Sequence, residues 1–433
     1  MPFEMKITDN KIHYSGYLSK STYVQCKDGV LLATSYFLPK KLPPIKKIPT
    51  ILIMERYWRH PELKTIFKWI FGKNYTISSS ASFYTSRGYA FVIVDTRGTG
   101  ASFGKRPYPF FKQESLDGID ILDWIISQPW SDGNVVTRGV SYPGTMAENL
   151  AALNHPALKA FIPLHCGFDP FLHAAYPGGC YNVAFLKRWE ESSRFLDLNS
   201  SLAFKTEKRW IELMLIRGIT PVDSDKDRTL LLQAQKEHEE NHYSHELCSS
   251  RIFRDSKLNG EQPYDIISTY SRVEAFKEKN LPIMNISSWY DSGYGEAVIN
   301  RFMNMENPGL YIIGDWNHGI GGDANPFHKK KDIPLQAKNQ KELNTVLKNN
   351  YIKFYDQALF GAGYTQKTLY YYTVGEEIWK NTTKWPPANQ VMQKWFFHKN
   401  NELLLMKPQD KLGEDDYLVN YSTSTNYERN LSR

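Results

Sequence analysis

Val135-Val136-Thr137-Arg138-Gly139-Val140-Ser141-Tyr142-Pro143-Gly144 carries an apolar run into a tight turn at Ser141. The stretch that follows, Thr145 to Leu153, is helix-like in composition, so the segment reads strand, turn, helix. Such a turn lifts a serine hydroxyl to the carboxyl edge of a sheet, the setting of a nucleophile elbow. The usual pattern is G-x-S-x-G. Here Pro143 stands where the last glycine is usual, and Gly144 comes one residue later. Proline fits the first turn of a helix, where the missing N–H would have had no acceptor. Taken alone, the motif reads equally well as a nucleophile or as an ordinary turn serine.

Working outward, other short apolar runs surround this one. Ile51-Leu52-Ile53-Met54, Ala90-Phe91-Val92-Ile93-Val94 and Phe161-Ile162-Pro163-Leu164 are continuous rather than alternating, which suits strands buried on both faces of a mostly parallel sheet. Between them Ile119, Leu122 and Ile126 recur at helical spacing. The order β-α-β-α predicts an α/β layered fold. Upstream, Tyr23–Cys26 and Val30–Thr34 flank Lys27-Asp28-Gly29, a hairpin signal. Residues 166–280 break the rhythm; they are polar and helix-like with no clear buried strand, and read as an inserted helical cap. Ile283-Met284-Asn285-Ile286 and Leu310-Tyr311-Ile312-Ile313 resume it. A helix over about Glu342 to Leu359 stops at Phe360-Gly361. The strand-like pieces Thr368–Tyr372 and Trp395–Phe397 then look like the start of a separate β domain.

Composition narrows the function classes. The chain has 433 residues, 41% hydrophobic and 23% charged, the values of a globular protein with more than one domain. The net charge is +7, yet Lys and Arg are scattered; the short runs Lys46-Lys47 and Lys329-Lys330-Lys331 sit beside prolines and read as solvated loops, not a nucleic-acid patch. Cys26, Cys166, Cys180 and Cys248 are far apart and form no C-x-x-C pair. No stretch approaches the roughly 20 apolar residues of a membrane span, and Met1-Pro2-Phe3-Glu4 opens no apolar signal segment. The expectation is a cytoplasmic protein with neither membrane nor nucleic-acid partner.

A serine nucleophile needs a base, and the base an orienting acid; in this fold class they follow in the order Ser, acid, His, each after a later strand. Asp291 follows the run Ile283–Ile286, and His318 follows Leu310–Ile313. Asp315 lies nearer His318 but on the same loop, which makes it the weaker acid candidate. The backbone N–H of Tyr142 is one oxyanion donor. A second is expected after an early strand, where Glu55-Arg56-Tyr57 lies; on its residues alone Tyr57 reads as a loop aromatic. Two further features are given structural readings. Asp95-Thr96-Arg97-Gly98-Thr99-Gly100 matches no phosphate-binding pattern and reads as a turn in which Arg97 anchors carboxylates. His238, His242 and His245 have metal-like spacing but no H-E-x-x-H, and read as a solvated cap helix.

Together these pieces resemble the cocaine-esterase-like branch of the X-Pro dipeptidyl-peptidase (S15) hydrolases. The resemblance rests on Asp28–Leu32, Arg56-Tyr57, Asp95–Ser102, Gln128–Gly133, Gly139–Tyr142, Pro177–Gly179, Trp289–Asp291, Trp316–Gly319, Gly375–Trp379 and Trp385–Pro387, in order along the chain. It implies an α/β-hydrolase domain (residues 1–165 and 281–362), a helical cap insertion (166–280) and a partial C-terminal jelly-roll β domain (363–433). It implies Ser141 as nucleophile, Asp291 as acid, His318 as base, and Tyr57 and Tyr142 as the oxyanion hole, with no cofactor and no metal. The substrate it implies is a small ester, amide or short peptide. Three departures bear on this. Asp315 replaces the usual proline of the His loop. Ser292-Gly293-Tyr294, not carboxylates, follow Asp291, which argues against an α-amino ester. The sequence stops at Arg433, early in the β domain, so a loosely ordered tail from about Gln409, a homo-oligomer or partner covering the open sheet, or a continuation is expected. The rival readings are an X-Pro dipeptidyl-peptidase-like serine peptidase and a non-catalytic binding protein.

Overall fold

The computed structural model of the chain describes residues 3, 13–72, 75–206, 209–250, 253–257, 263–318, 320, 325, 327, 339–388, 390–409 and 413–420. Lys329-Lys330-Lys331 lie outside them. Among the described residues the strands are β1 (Tyr17–Gln25), β2 (Leu31–Pro39), β3 (Ile48–Glu55), β4 (Pro61–Leu63), β5 (Ala90–Asp95), β6 (Ser131–Val140), β7 (Leu158–Leu164), β8 (Ile216–Ile219), β9 (Ile283–Ser288), β10 (Gly309–Gly314), β11 (Lys367–Thr373), β12 (Ile378–Thr382), β13 (Phe396–His398) and β14 (Glu402–Leu404). Ten of them form one sheet in the order β1-β2-β5-β3-β6-β7-β9-β10-β11-β12. The pairs from β5 through β11 are parallel; only β1–β2, β2–β5 and β11–β12 are antiparallel.

The continuous apolar runs explain this layering. In β3 and β5, Leu52, Met54, Val92 and Val94 join one core, while Ile51, Ile53, Phe91 and Ile93 join the other. Side chains alternate across a strand, so a run apolar at every position needs cover on both faces. The first core is covered by the helices Lys112–Ser127, Tyr142–Ala152 and Tyr294–Asn304, through Leu122, Leu150 and Phe302 among others. The second is covered by Tyr75–Ser86 and Gln340–Leu359. The result is a mixed α/β fold with a mostly parallel central sheet.

One of the expected elements falls elsewhere. Thr368–Tyr372 was expected to open a separate β domain from residue 363; instead it lies in β11, parallel to β10, and Leu369 is fully buried in the first core. The helix Gln340–Leu359 is the crossover between β10 and β11, and such a unit brings its second strand back beside the first. Beyond Thr382 the described residues form only the small β13–β14 ribbon, and no jelly roll. The 166–280 segment is mostly helical, as expected, but holds β8, which pairs antiparallel with β4. Arg97 behaves as its reading requires: it bonds Asp117 at 2.8 and 2.6 Å and pairs with Asp28 at 2.8 Å. No helix among the described residues is long and apolar enough to cross a membrane.

A buried ion pair joins the two helices beneath the sheet's carboxyl edge. Arg301 donates to both oxygens of Glu148 at 2.5 and 2.7 Å, and neither side chain is exposed. Arg301 also donates to the carbonyls of Cys166 (3.1 Å) and Gly167 (2.9 Å). Removing one partner of such a pair leaves the other charge buried and uncompensated. Arg301→Met is expected to cost about 3–5 kcal/mol in urea unfolding, with most of the loss recovered in Glu148→Gln/Arg301→Met. A single-variant loss below about 1 kcal/mol would contradict this role.

Candidate active site

The sheet's carboxyl edge gathers the candidate residues. Ser141 follows β6, Asp291 follows β9, His318 follows β10 and Tyr57 follows β3. Open α/β sheets bind their ligands at this edge.

Ser141 sits at φ 63° and ψ −121°, a conformation that non-glycine residues rarely hold. Its N–H donates to Leu164 O at 2.8 Å, and its carbonyl accepts from Thr145 N at 3.1 Å. The flanking glycines are dictated by contact. A Cβ on Gly139 would stand 2.1 Å from the carbonyl carbon of Pro143, and one on Gly144 would stand 2.8 Å from Leu164 O. The glycine that lets β7 approach is therefore Gly144, which explains how proline is tolerated at 143. Tyr142 opens the helix, so its N–H belongs to the first turn, whose donors have no intrahelical acceptor. Its phenol donates to Glu114 and accepts from Phe110 N, which pins the ring.

His318 and Asp291 are brought together. His318 Nδ1 lies 3.0 and 2.9 Å from the two carboxylate oxygens of Asp291. The carboxylate is fully buried. Burial alone would raise its pKa, but His318 and His165 hold it down to about 2, so it is charged across the working range. Asp315, the weaker acid candidate, instead accepts from Asn325 at 3.1 Å.

Tyr57 lies against Ser141. Its hydroxyl accepts from Trp189 Nε1 at 3.0 Å, and Tyr57 and Ser141 line the same cavity. Burial raises the phenol's pKa and keeps it protonated. The neighbouring Arg56 pairs with Asp197 at 3.2 Å, and Arg106 reaches the same carboxylate at 2.8 Å. Those bonds tie the helix Val183–Asp197, which carries Trp189, to the sheet.

Two cavities meet at Ser141. One, about 110 Å³, is walled by Phe110, Tyr142, Phe185, Leu186, Trp189 and Ile267 among others, and is largely apolar. The other, about 520 Å³, is lined by Glu55, Tyr57, Arg188, Arg209 and His318 among others. Glu55 accepts from the backbone N–H groups of Arg56 and Tyr57, yet burial pushes its carboxyl up to about 7.

The residue reading missed His165, Trp189 and Glu55. His165 follows β7 as Asp291 follows β9, and that placement was the available signal. Trp189 and Asp197 lie in a helix whose sequence does not show what it packs against. The histidine cluster departs from its reading: His238 is buried, with Nδ1 2.8 Å from Asp197 O and Nε2 2.7 Å from Ser102 O, so it staples the helix Thr229–His238 to the sheet and does not face solvent. His242 and His245 lie beyond that helix's end. Among the described residues, His165, Asp291 and His318 are the one group whose donor atoms, all within 4.8 Å, could close on a metal ion.

The model of the X-Pro dipeptidyl-peptidase (S15) family matches residues 28–320. A Mycobacterium bovis protein provisionally named a serine esterase is 30% identical over 95% of this chain and 68% of its own length. Cocaine esterase of Rhodococcus is 26% identical over 85% of this chain and 60% of its own. Among solved structures, a CocE/NonD family hydrolase of Staphylococcus aureus superposes with a TM-score of 0.61 at 17% identity, covering 90% of this chain and 60% of that one. The chain thus spans less than two thirds of the latter two.

Glu55 yields a pH prediction. Its folded pKa, about 7, lies above its ordinary value of 4.5, so the folded state binds the proton more tightly. Its contribution is complete below about pH 4.5 and is lost as pH rises through 7. Glu55→Gln should therefore gain about 2 kcal/mol on the wild type between pH 5 and pH 8 in urea unfolding. An equal difference at both pH values would refute it.

Proposed function

The chain belongs to the X-Pro dipeptidyl-peptidase (S15) family, and on that premise we propose that it is a serine hydrolase cleaving an acyl ester or amide through an acyl-enzyme on Ser141. The observation that carries the reading is the strained Ser141 at a strand–helix elbow, sharing a cavity with His318 whose Nδ1 is fixed by Asp291 at 2.9 Å.

In this mechanism His318 Nε2 takes the Ser141 proton as the hydroxyl attacks the acyl carbon. Asp291 accepts from Nδ1–H, which sets the tautomer and leaves Nε2 basic. The developing oxyanion receives the Tyr142 N–H and the Tyr57 hydroxyl. Tyr57 already accepts from Trp189, so its own proton is the one available to give. His318 then protonates the leaving group, and later takes a proton from the water that releases the acyl group. The strained serine backbone needs no rearrangement during the reaction.

The apolar cavity suits an aryl or aliphatic acyl group, flanked by Phe110, Tyr142 and Trp189. The wider one suits the leaving group, next to His318. Ser292 and Gly293 after Asp291 supply no carboxylate for a substrate ammonium, which supports a simple ester over an α-amino ester. The domains assigned from sequence are proposed with one change: the α/β-hydrolase domain extends through β12.

A fluorophosphonate probe should label the native chain and not Ser141→Ala, and Ser141→Ala should lower aryl-ester turnover by roughly 10⁴-fold or more. Tyr57→Phe should lower kcat by roughly 10²-fold. Equal labelling of Ser141→Ala would sink the reading, and a clear preference for dipeptidyl anilides with proline second would replace the esterase with the peptidase.

A further inference from the structure

Asp291 receives a second imidazole that the mechanism above does not use. His165 Nδ1 lies 2.6 Å from Asp291 Oδ2, closer than His318. His165 is fully buried, at φ 49° directly after β7, and its N–H donates to Ile286 O of β9 at 2.8 Å. Its ring stands edge-on to that of His318, with centroids 5.4 Å apart. Its Nε2 meets no hydrogen-bonding group among the described residues.

These facts settle the proton. An ionised carboxylate can only accept, so the atom facing Asp291 must carry a hydrogen. Burial lowers the pKa of His165, which favours the neutral ring with its one proton on Nδ1. A bare Nε2 is then what faces the closed interior. Both imidazoles reach the same oxygen, Asp291 Oδ2, with their ring centroids 5.4 Å apart.

We propose that His165 is a positioning residue for the hydrolytic site: an imidazole whose Nδ1–H holds the Asp291 carboxylate in place and limits its basicity toward His318. This rests on the reading of Ser141, Asp291 and His318 as the catalytic set. Without the His165 donor, Asp291 is more basic, the His318 imidazolium is favoured, and the acid limb of kcat/KM moves to higher pH.

The other titratable groups around Asp291 are few. The Tyr294 phenol faces it from the helix Tyr294–Asn304, with the Cys166 thiol and the Tyr57 phenol beyond. Burial raises all three, which favours their protonated forms. Glu55, pushed up to about 7, lines the same cavity as His318 and would add its own limb. Profiles are therefore recorded in the Glu55→Gln background.

The test compares His165→Phe, which fills the space without a donor, with His165→Asn, whose side-chain amide can place an N–H near the position of Nδ1. His165→Phe is expected to lower kcat/KM for an aryl ester about tenfold at neutral pH and to move the acid limb up by about half a unit. His165→Asn should bring both back to within about threefold of the parent. An acid limb of His165→Phe that coincides with the parent's, in a variant that melts like it, overturns the proposal. Should His165→Phe not fold, histidine ¹⁵N shifts of the unmodified chain decide. His165 protonated on Nδ1 throughout the His318 titration is expected, and His165 protonated on Nε2 overturns the proposal. Full activity in Ser141→Ala would instead fail the serine-hydrolase reading and leave the His165 tautomer result standing.

Discussion

The bidentate pair between Glu148 and Arg301 is the constraint on which the site's geometry depends. Glu148 belongs to the helix that Ser141 begins, and Arg301 to the helix that follows Asp291. Arg301 also holds the carbonyls of Cys166 and Gly167, the two residues after His165. Glu148 takes a further bond from Thr269 at 2.8 Å, within the inserted segment. One buried ion pair thus fixes the separation of Ser141, Asp291 and His165, and links the cap to them. Two charges in an apolar interior are expensive, and the Cys166 and Gly167 carbonyls and the Thr269 hydroxyl around them are what make the arrangement tenable. In return, none of the three segments can shift without breaking bonds to the others.

The layered fold was legible because its strands are apolar at consecutive positions, a pattern that two covered faces require. The candidate set of Ser141, Asp291 and His318 came from a related signal: each comes directly after such a run, and the order of runs gave the order of the proposed roles. What did not show was contact between elements distant in sequence. β11 carries Thr368-Leu369-Tyr370-Tyr371-Tyr372, which is as suitable for an edge strand of a β sandwich as for a neighbour of β10. Only the helix before it, packed on the second core, decides between them. His238 has the spacing of a solvent-facing helix residue, and nothing local shows that Ser102 and Asp197 wait on either side of its ring. Tyr57 needs Trp189, 132 positions away, to become more than a loop aromatic.

The two cavities divide the work between rigid and adaptable parts of the molecule. The sheet edge supplies Ser141, His318 and Tyr57 from strands buried on both faces, so their placement is set by the core. The apolar cavity draws most of its wall from the inserted segment: Phe185, Leu186, Trp189, Leu247, Tyr264 and Ile267. Changes in that wall can alter which group fits without disturbing the reacting atoms. The cap is nonetheless not loose, since Asp197 receives Arg56 and Arg106, and His238 bridges two backbone carbonyls.

The place of β11 beside β10 bears on how the molecule is made. The strand that delivers His318 has β9 on one side and β11 on the other. Synthesis runs from the amino end, so β10 leaves the ribosome with one long flank bare until Lys367–Thr373 has followed it. Ser141 and its helix are complete more than two hundred residues earlier. The Ser141 elbow is therefore built long before His318 is secured, and on the proposed roles a nascent chain carries an inert serine until the sheet is closed beyond the histidine.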